Sequence, residues 1–593
     1  MKLKEKKRKA KKEARRRNRK KAISQSQSLC AGEKEYVHQR KRVVLESLSS
    51  LGINCTTDSV PHIALLASGG GQRASVGLLG SLYQMEKEHL VDMLLYLGSV
   101  SGSTWSMSSI YSDPQWSDSP DSLDTAVSRL SGPEVPLEKA LAWLDERAEE
   151  DYFSLSDVWG VLTSAGIMKQ MDLRRLSDEA SRKATNPYPI YSAIEKYCYL
   201  HGPIQGKWFE VTPHEAGFTE LGLFVKTSLL GSKFENGKLL VKEPEMDMVK
   251  LQGILGSALA LDQTIKDLIP PWLNVSGQMD GAAEDYLRVY NALDKLVALT
   301  RSTIKDPTAL SDLDKLQKIL EDMLNHDKSV WLESKSLEER KSSFGQWSLE
   351  LMAAVQTWSQ SLEDGAFKTN VSLLTKQVLP MIRKWEWGTT GNFLYKYQDS
   401  TVPPYLRSTE TFHLIDAGLL INVAYPSFLG EKRDIDLIIA PEYSAGNMFE
   451  TLTLARDYAA EVKKPFPDID SKILEERDWP KGCYVLEGKE KAPTIVHAHA
   501  RTHARRLLLP VYRCVYFVHS NPRQLLPKRP VTEKVPYAAE FKAKMEDFST
   551  FQRPYSQEKI EFELETAKAN IKINKETLLR EIKKAVLRRH NKM

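Results

Sequence analysis

Long apolar runs are missing from this chain. No stretch approaches the ~18–20 consecutive apolar residues that a bilayer-spanning helix needs. The charged N-terminus has no apolar stretch behind it, so no secretory signal is expected there. Cysteine is scarce: five in 593 residues, scattered at Cys30, Cys55, Cys198, Cys483 and Cys514. An odd, scattered set points to a reducing compartment. It shows no metal-ligand spacing, so neither metal nor cofactor is expected. Aromatics are absent from residues 1–21. That weighs against nucleic-acid binding by this segment, which would have no ring to stack on bases.

What is present is ordinary for a soluble protein: 41% hydrophobic and 27% charged residues. The length allows one large core or several domains. Charge is unevenly placed. Residues 1–21 hold 14 Lys/Arg against Glu5 and Glu13, so the tail carries +12 while the whole chain carries +5. Residues 1–35 are therefore read as a basic, unstructured tail. It could be a solvated tail, an attachment to anionic membranes, or a nuclear-import signal. Membrane attachment is the partner reading adopted, with no obligate nucleic acid and no required protein partner.

Two short segments carry the chemistry. His62 to Ala67 is a mostly apolar run that ends in Ser68-Gly69-Gly70-Gly71-Gln72-Arg73-Ala74. It reads as a buried strand feeding a glycine loop, and a helix follows from Ala74 to Glu88. A second strand, Met93 to Leu97, leads into Ser99-Val100-Ser101-Gly102-Ser103-Thr104-Trp105 and another helix. Strand, sharp turn, serine and helix are the parts of a nucleophile elbow. Read alone, this segment is equally well a serine-rich turn capping a helix.

These residues resemble the catalytic core of the group IV cytosolic phospholipases A2, relatives of patatin. That family carries S-G-G-G-x-R-A and G-x-S-G-S-T-W. Further likenesses follow in order: Trp208-Phe209-Glu210-Val211-Thr212-Pro213, Trp385-Glu386-Trp387-Gly388-Thr389-Thr390, and Asp416-Ala417-Gly418-Leu419 with Ile421-Asn422. Tyr443-Ser444-Ala445-Gly446 and Phe449-Glu450-Thr451-Leu452 extend the match, which spans roughly residues 60 to 498. In plan the chain is similar to the gamma subtype.

The resemblance implies an α/β fold, a patatin-like three-layer α/β/α core with a mainly helical cap insertion. Residues 36–593 would form the catalytic domain, with the cap at about 250–383. It implies a Ser–Asp dyad without histidine. Ser101 would attack the acyl ester and Asp416 would take its proton, provided the carboxylate is in reach and partly desolvated. Gly69 and Gly70 would donate N–H groups to the oxyanion, and Arg73 would hold the substrate phosphate. The expected activity is phospholipase A2 and lysophospholipase hydrolysis, with transacylation as an added option. The expected location is cytoplasmic, peripheral on intracellular membranes. Two alternatives stand beside it: a decayed core that only binds membrane or nucleic acid through the basic tail, and an esterase with a Ser101–Asp416–His497 triad.

Two departures from the family pattern stand out. Ser99 replaces the leading glycine of the elbow, and Ala417 replaces a glycine beside Asp416. A Cβ at Ala417 is costly if that position needs φ > 0 or a close backbone approach; at Ser99 the residue is still small, so the tight turn stays possible. Only about 60 residues precede the first core strand, roughly half of what a calcium-binding C2 module requires. Calcium-independent catalysis is expected accordingly. The gamma subtype also implies a C-terminal prenyl anchor, which His590-Asn591-Lys592-Met593 does not carry. Residues of about 498–530 break from the family pattern in a His/Arg-rich stretch and are expected to derive from a retained intron or exon-junction error. A basic amphipathic helix is expected from Lys575 to Arg589, with Leu578, Ile582 and Val586 on one stripe.

Overall fold

The computed structural model describes residues 22–203, 205–260, 289, 290, 293, 294, 297, 301, 307–330, 337–444, 447, 449–476, 481–499 and 555–592. The basic residues 1–21 and nearly all of the atypical segment lie outside the described residues.

The first of two compact units comprises residues 1–135, 162–258 and 390–593. Its strands in chain order are β1 (Ser24–Gln25), β2 (Ile63–Ala67), β3 (Tyr96–Ser99), β4 (Tyr188–Glu195), β5 (Trp208–Val211), β6 (Glu215–Phe218), β7 (Leu223–Lys226), β8 (Lys233–Glu235), β9 (Lys238–Val241), β10 (Thr389–Gly391), β11 (Thr411–Asp416), β12 (Leu437–Glu442), β13 (Cys483–Leu486) and β14 (Thr494–His499). All but the β8–β9 ribbon belong to one mixed sheet, ordered β1-β7-β6-β5-β4-β3-β2-β12-β14-β13, with β11 on β4 and β10 on β11. The central strands β4, β3, β2, β12 and β14 are parallel neighbours. All five residues of β2 are buried, which is why it reads as an unbroken apolar run and not as an alternation.

One detail of register positions the site. Tyr191 to Ile194 of β4 pair with β5 on one edge. Both β3 and β11 must then use the other edge. β3 runs parallel to β4 and ends at Ser99 opposite Tyr191. β11 runs antiparallel and ends at Asp416 opposite Ala193. The two strands therefore approach head-on along one edge of β4 and stop either side of Ser192.

The helices that matter here are α1 (Ala31–Ser50), α2 (Gln72–Lys87), α3 (Ser103–Tyr111), α4 (Glu450–Glu461) and α5 (Gln557–Lys592). Helix α1 begins inside the expected tail, and Ser24–Gln25 pairs with β7, so ordered structure starts well before residue 36. Helix α5 is far longer than the 575–589 stretch read from sequence. Ile560, Leu564, Ala567 and Ile571 extend its buried stripe toward the N-terminus. It lies along α2 closely enough that a Cβ on Gly80 would meet the Leu564 carbonyl at 2.8 Å.

The N-terminal ends of β2 and β12 are braced by charge. Arg433, fully buried, forks to Glu33 at 2.8 and 3.1 Å and to Glu210 at 2.9 and 3.2 Å. Asp436 accepts from the His62 N–H at 2.8 Å and from Arg589 Nε at 2.6 Å, and Lys592 reaches it at 3.0 Å. Cys30, Glu33 and Glu215 come close enough here to share a metal ion, but Arg433 engages Glu33 and Lys432 engages Glu215.

The second unit comprises Pro136–Val161 and Leu259–Thr389. It is mainly helical, as expected for the insertion, but it starts later than residue 250 and recruits a separate earlier segment. Helices Pro307–Val330 and Leu337–Ser361 share a core in which Val289, Leu293, Leu316, Leu320, Leu351 and Val355 are buried. Val289/Leu293 and Leu316/Leu320, each four positions apart, bring one helical turn after another onto this core.

Candidate active site

Ser101 sits in the turn between β3 and α3 with φ of 53°, the left-handed region that a side chain rarely adopts. The turn is held from both sides. Ser103 Oγ donates to the Val100 carbonyl at 2.7 Å and accepts the Val100 N–H at 3.2 Å. Thr104 donates its N–H and Oγ1 to the Ser101 carbonyl at 2.9 and 2.5 Å. Such over-determination keeps a strained residue in place. Ser101 is 6% exposed and lines a cavity of about 300 Å³.

The glycine loop between β2 and α2 lies against this turn. A Cβ on Gly69 would fall 2.5 Å from Ser101 Cβ, and one on Gly102 would fall 2.0 Å from the Gly71 carbonyl oxygen. Gly70 and Gly71 have φ of 147° and 61°, so glycine is required for the backbone as well as for space.

Asp416 closes the arrangement from the end of β11. It is 1% exposed. Its Oδ1 accepts the Gly418 N–H at 2.8 Å, while Oδ2 is buried without a hydrogen bond of regular geometry. Burial pushes its pKa up to about 7; the Ser101 hydroxyl and the Gly418 N–H beside it pull the other way. A carboxyl with that pKa is half ionised near neutrality and can accept a proton from a hydroxyl it touches. No histidine lines the cavity among the described residues. Serine, carboxyl and a glycine-rich amide loop at one mouth are the components of acyl transfer.

Comparison with known proteins agrees. Residues 63–262 match the family model of the lysophospholipase catalytic domain. The chain is 31% identical to cytosolic phospholipase A2 gamma of Mus musculus over 491 residues, 78% of this chain and 81% of the mouse protein. The Homo sapiens gamma protein is also 31% identical, over 78% of this chain and 83% of its own. The chain belongs to the cytosolic phospholipase A2 family. Among solved structures, human GIVD cytosolic phospholipase A2 superposes with a TM-score of 0.63 over 96% of this chain and 69% of its own, at 23% identity, which speaks to the mixed α/β fold. Membership makes the chain an enzyme of the phospholipase A2 and lysophospholipase class. Among the described residues no helix is long and apolar enough to cross a membrane.

Both departures from the family pattern fit the backbone where they stand. Ser99 is an ordinary strand residue whose Oγ turns into the core, 3.0 Å from Met107 Sδ. It faces away from the cavity, so Ser101 is the elbow serine. Ala417 opens a 3₁₀ turn with no positive φ, so its Cβ carries no backbone strain.

The other expected site residues are placed less simply. The Gly69 N–H donates to the Asn422 carbonyl at 3.0 Å and is therefore occupied, whereas the Gly70 N–H has no partner among the described residues. Arg73 is 1% exposed and does not line the cavity. Its guanidinium folds back behind Gly70, and Nε donates to the Tyr443 carbonyl at 2.5 Å. Its charge stands behind the free amide instead of in the mouth. His497 lies on β14, three strand positions from β3, so roughly 14 Å separates the strands. That removes the Ser101–Asp416–His497 triad. His413 precedes Asp416 by three positions on β11 and so belongs to the opposite face of the sheet.

Asn422 is the functional residue that reasoning from sequence passed over. Its Nδ2 donates to the Gly69 carbonyl at 3.1 Å and also bonds Ser444 Oγ, while its own carbonyl takes the Gly69 N–H. It staples the glycine loop to the segment that carries Asp416. The signal was present in Ile421-Asn422, six positions beyond the aspartate.

Proposed function

We propose that this enzyme hydrolyses acyl esters of glycerophospholipids and lysophospholipids through a Ser101–Asp416 dyad, without calcium. The observation that carries the reading is the buried Asp416 carboxyl, pushed up to about 7, beside the hydroxyl of a strained elbow serine.

Ser101 Oγ attacks the acyl carbonyl as Asp416 takes its proton. The oxyanion is met by the free Gly70 N–H, with the Arg73 charge behind it; Gly69 joins if its bond to the Asn422 carbonyl opens. Asp416 then returns the proton to the leaving lysolipid oxygen. Water attacks the acyl-enzyme with Asp416 again as base. A second lysophospholipid hydroxyl in place of water gives transacylation. Nucleophile, base and oxyanion donor all come from the protein, which supports calcium-independent turnover. Peripheral attachment to anionic membranes falls to the Lys/Arg cluster of residues 1–21.

The test is release of labelled fatty acid from phosphatidylcholine with calcium chelated. Wild type and Ser99→Ala are expected to be active, and Ser101→Ala inactive. Equal release by wild type and Ser101→Ala sinks the dyad, and activity only with calcium restored sinks calcium independence. Labelled diacyl product from labelled lysophosphatidylcholine reports transacylation.

A further inference from the structure

The cavity in front of Ser101 has a mixed lining: Ala258, Leu419, Leu420 and Leu454 are apolar, and Asn422, Ser444, Asn447, Glu450 and Thr451 are polar. Apart from Asp416, the single formal charge among the described lining residues is Glu450; no lysine, arginine or histidine is among them. Glu450 is exposed and makes no ion pair with a described residue. It occupies the first turn of α4, and Leu454 follows one turn later on the same face. Apolar contact and negative charge are thus offered side by side at the mouth.

We infer that Glu450 selects the lipid head group by charge. It favours an ammonium-bearing head group, choline or ethanolamine, and disfavours head groups of net negative charge. This rests on the phospholipid-ester reading above. The selection is local to the cavity. It is distinct from the attraction of residues 1–21 to anionic surfaces, so the membrane can be anionic while the preferred substrate is zwitterionic.

A carboxylate in the first turn also stabilises its helix. The test therefore reads a ratio that helix stability does not move. Phosphatidylcholine and phosphatidylglycerol with identical acyl chains are presented together, as competing substrates in the same neutral-detergent micelles, so both are met at one surface charge. Wild type is expected to favour phosphatidylcholine in kcat/KM. Glu450→Gln should shrink that ratio by about tenfold, Glu450→Lys should invert it, and Glu450→Asp should keep it. Because the ratio is internal to each variant, a general loss of activity does not disguise the result. A ratio unchanged in both Gln and Lys variants overturns the inference and leaves the hydrolase standing. A wild type that cleaves p-nitrophenyl butyrate but neither phospholipid overturns the proposed function, and this inference with it.

Discussion

The two edges of β4 carry equally buried carboxylates in opposite surroundings, Asp416 on β11 opposite Ala193 and Glu210 on β5 opposite Ser192. Asp416 has no cation among the described residues lining its cavity, and burial lifts its pKa to about 7. Glu210 is just as buried, yet it is held well below the usual carboxylate range: burial pushes it up, and Arg433 and Lys432 together more than reverse that. Burial alone therefore does not decide what an acidic group becomes. The partner does. With cations it is held ionised as a brace; without them it titrates near neutral pH, as the proposed dyad requires.

That contrast can be broken most severely at Asp416. Asp416→Asn is expected to lower kcat by ~10³–10⁴-fold and, unlike most buried substitutions, to raise stability at pH 8. The sign follows from linkage. A carboxyl whose pKa rises on folding from 3.8 to about 7 stabilises the native state fully below the lower value. That contribution drains away as pH rises between the two values and is gone above about 7. Thermal unfolding of wild type and variant should thus coincide near pH 4 and diverge toward pH 8, with the variant melting higher. A lower melting point at pH 8 would mean that the carboxylate braces the fold after all.

Arg433→Met attacks the other edge. It leaves Glu33 buried without its cation and Glu210 with Lys432 alone, at an expected cost of about 3–5 kcal/mol in urea unfolding. An unchanged midpoint would erase the difference between the two edges. The mildest probe is pH. kcat/KM should climb about tenfold per unit on the acid side and level off near pH 7, reporting the free enzyme's base. A profile flat from pH 5 to 8 would take the proton from some group other than Asp416.

How much of this was legible in sequence depended on how local the information was. The glycine loop and the elbow each announce themselves within seven residues, because the turn geometry needs those small side chains in that order. Asp416 does not. Its role depends on β11 pairing with β4, a contact no local pattern encodes, and only the family likeness singled it out. Arg73 was identified as a residue but not in its placement: nothing in Gln72-Arg73-Ala74 says whether the guanidinium enters the cavity or turns back to Tyr443. His497 was a fair candidate until the strand order put two strands between it and β3. The early start of α1 and the length of α5 were missed because charged residues dominate both helices, and their buried stripes need a partner surface to become visible.

The head-on meeting of β3 and β11 has a consequence in time. Ser101 and Asp416 are more than three hundred positions apart, and the intervening chain includes the whole of a separate helical unit. A single strand, β4, measures the gap between them. During refolding, helices and the β2–α2–β3 unit can form from near neighbours, but the dyad exists only once the slow, long-range closure of β11 on β4 is complete. Regain of esterase activity should therefore trail regain of helical signal, making catalysis itself the clock for the last pairing of the sheet.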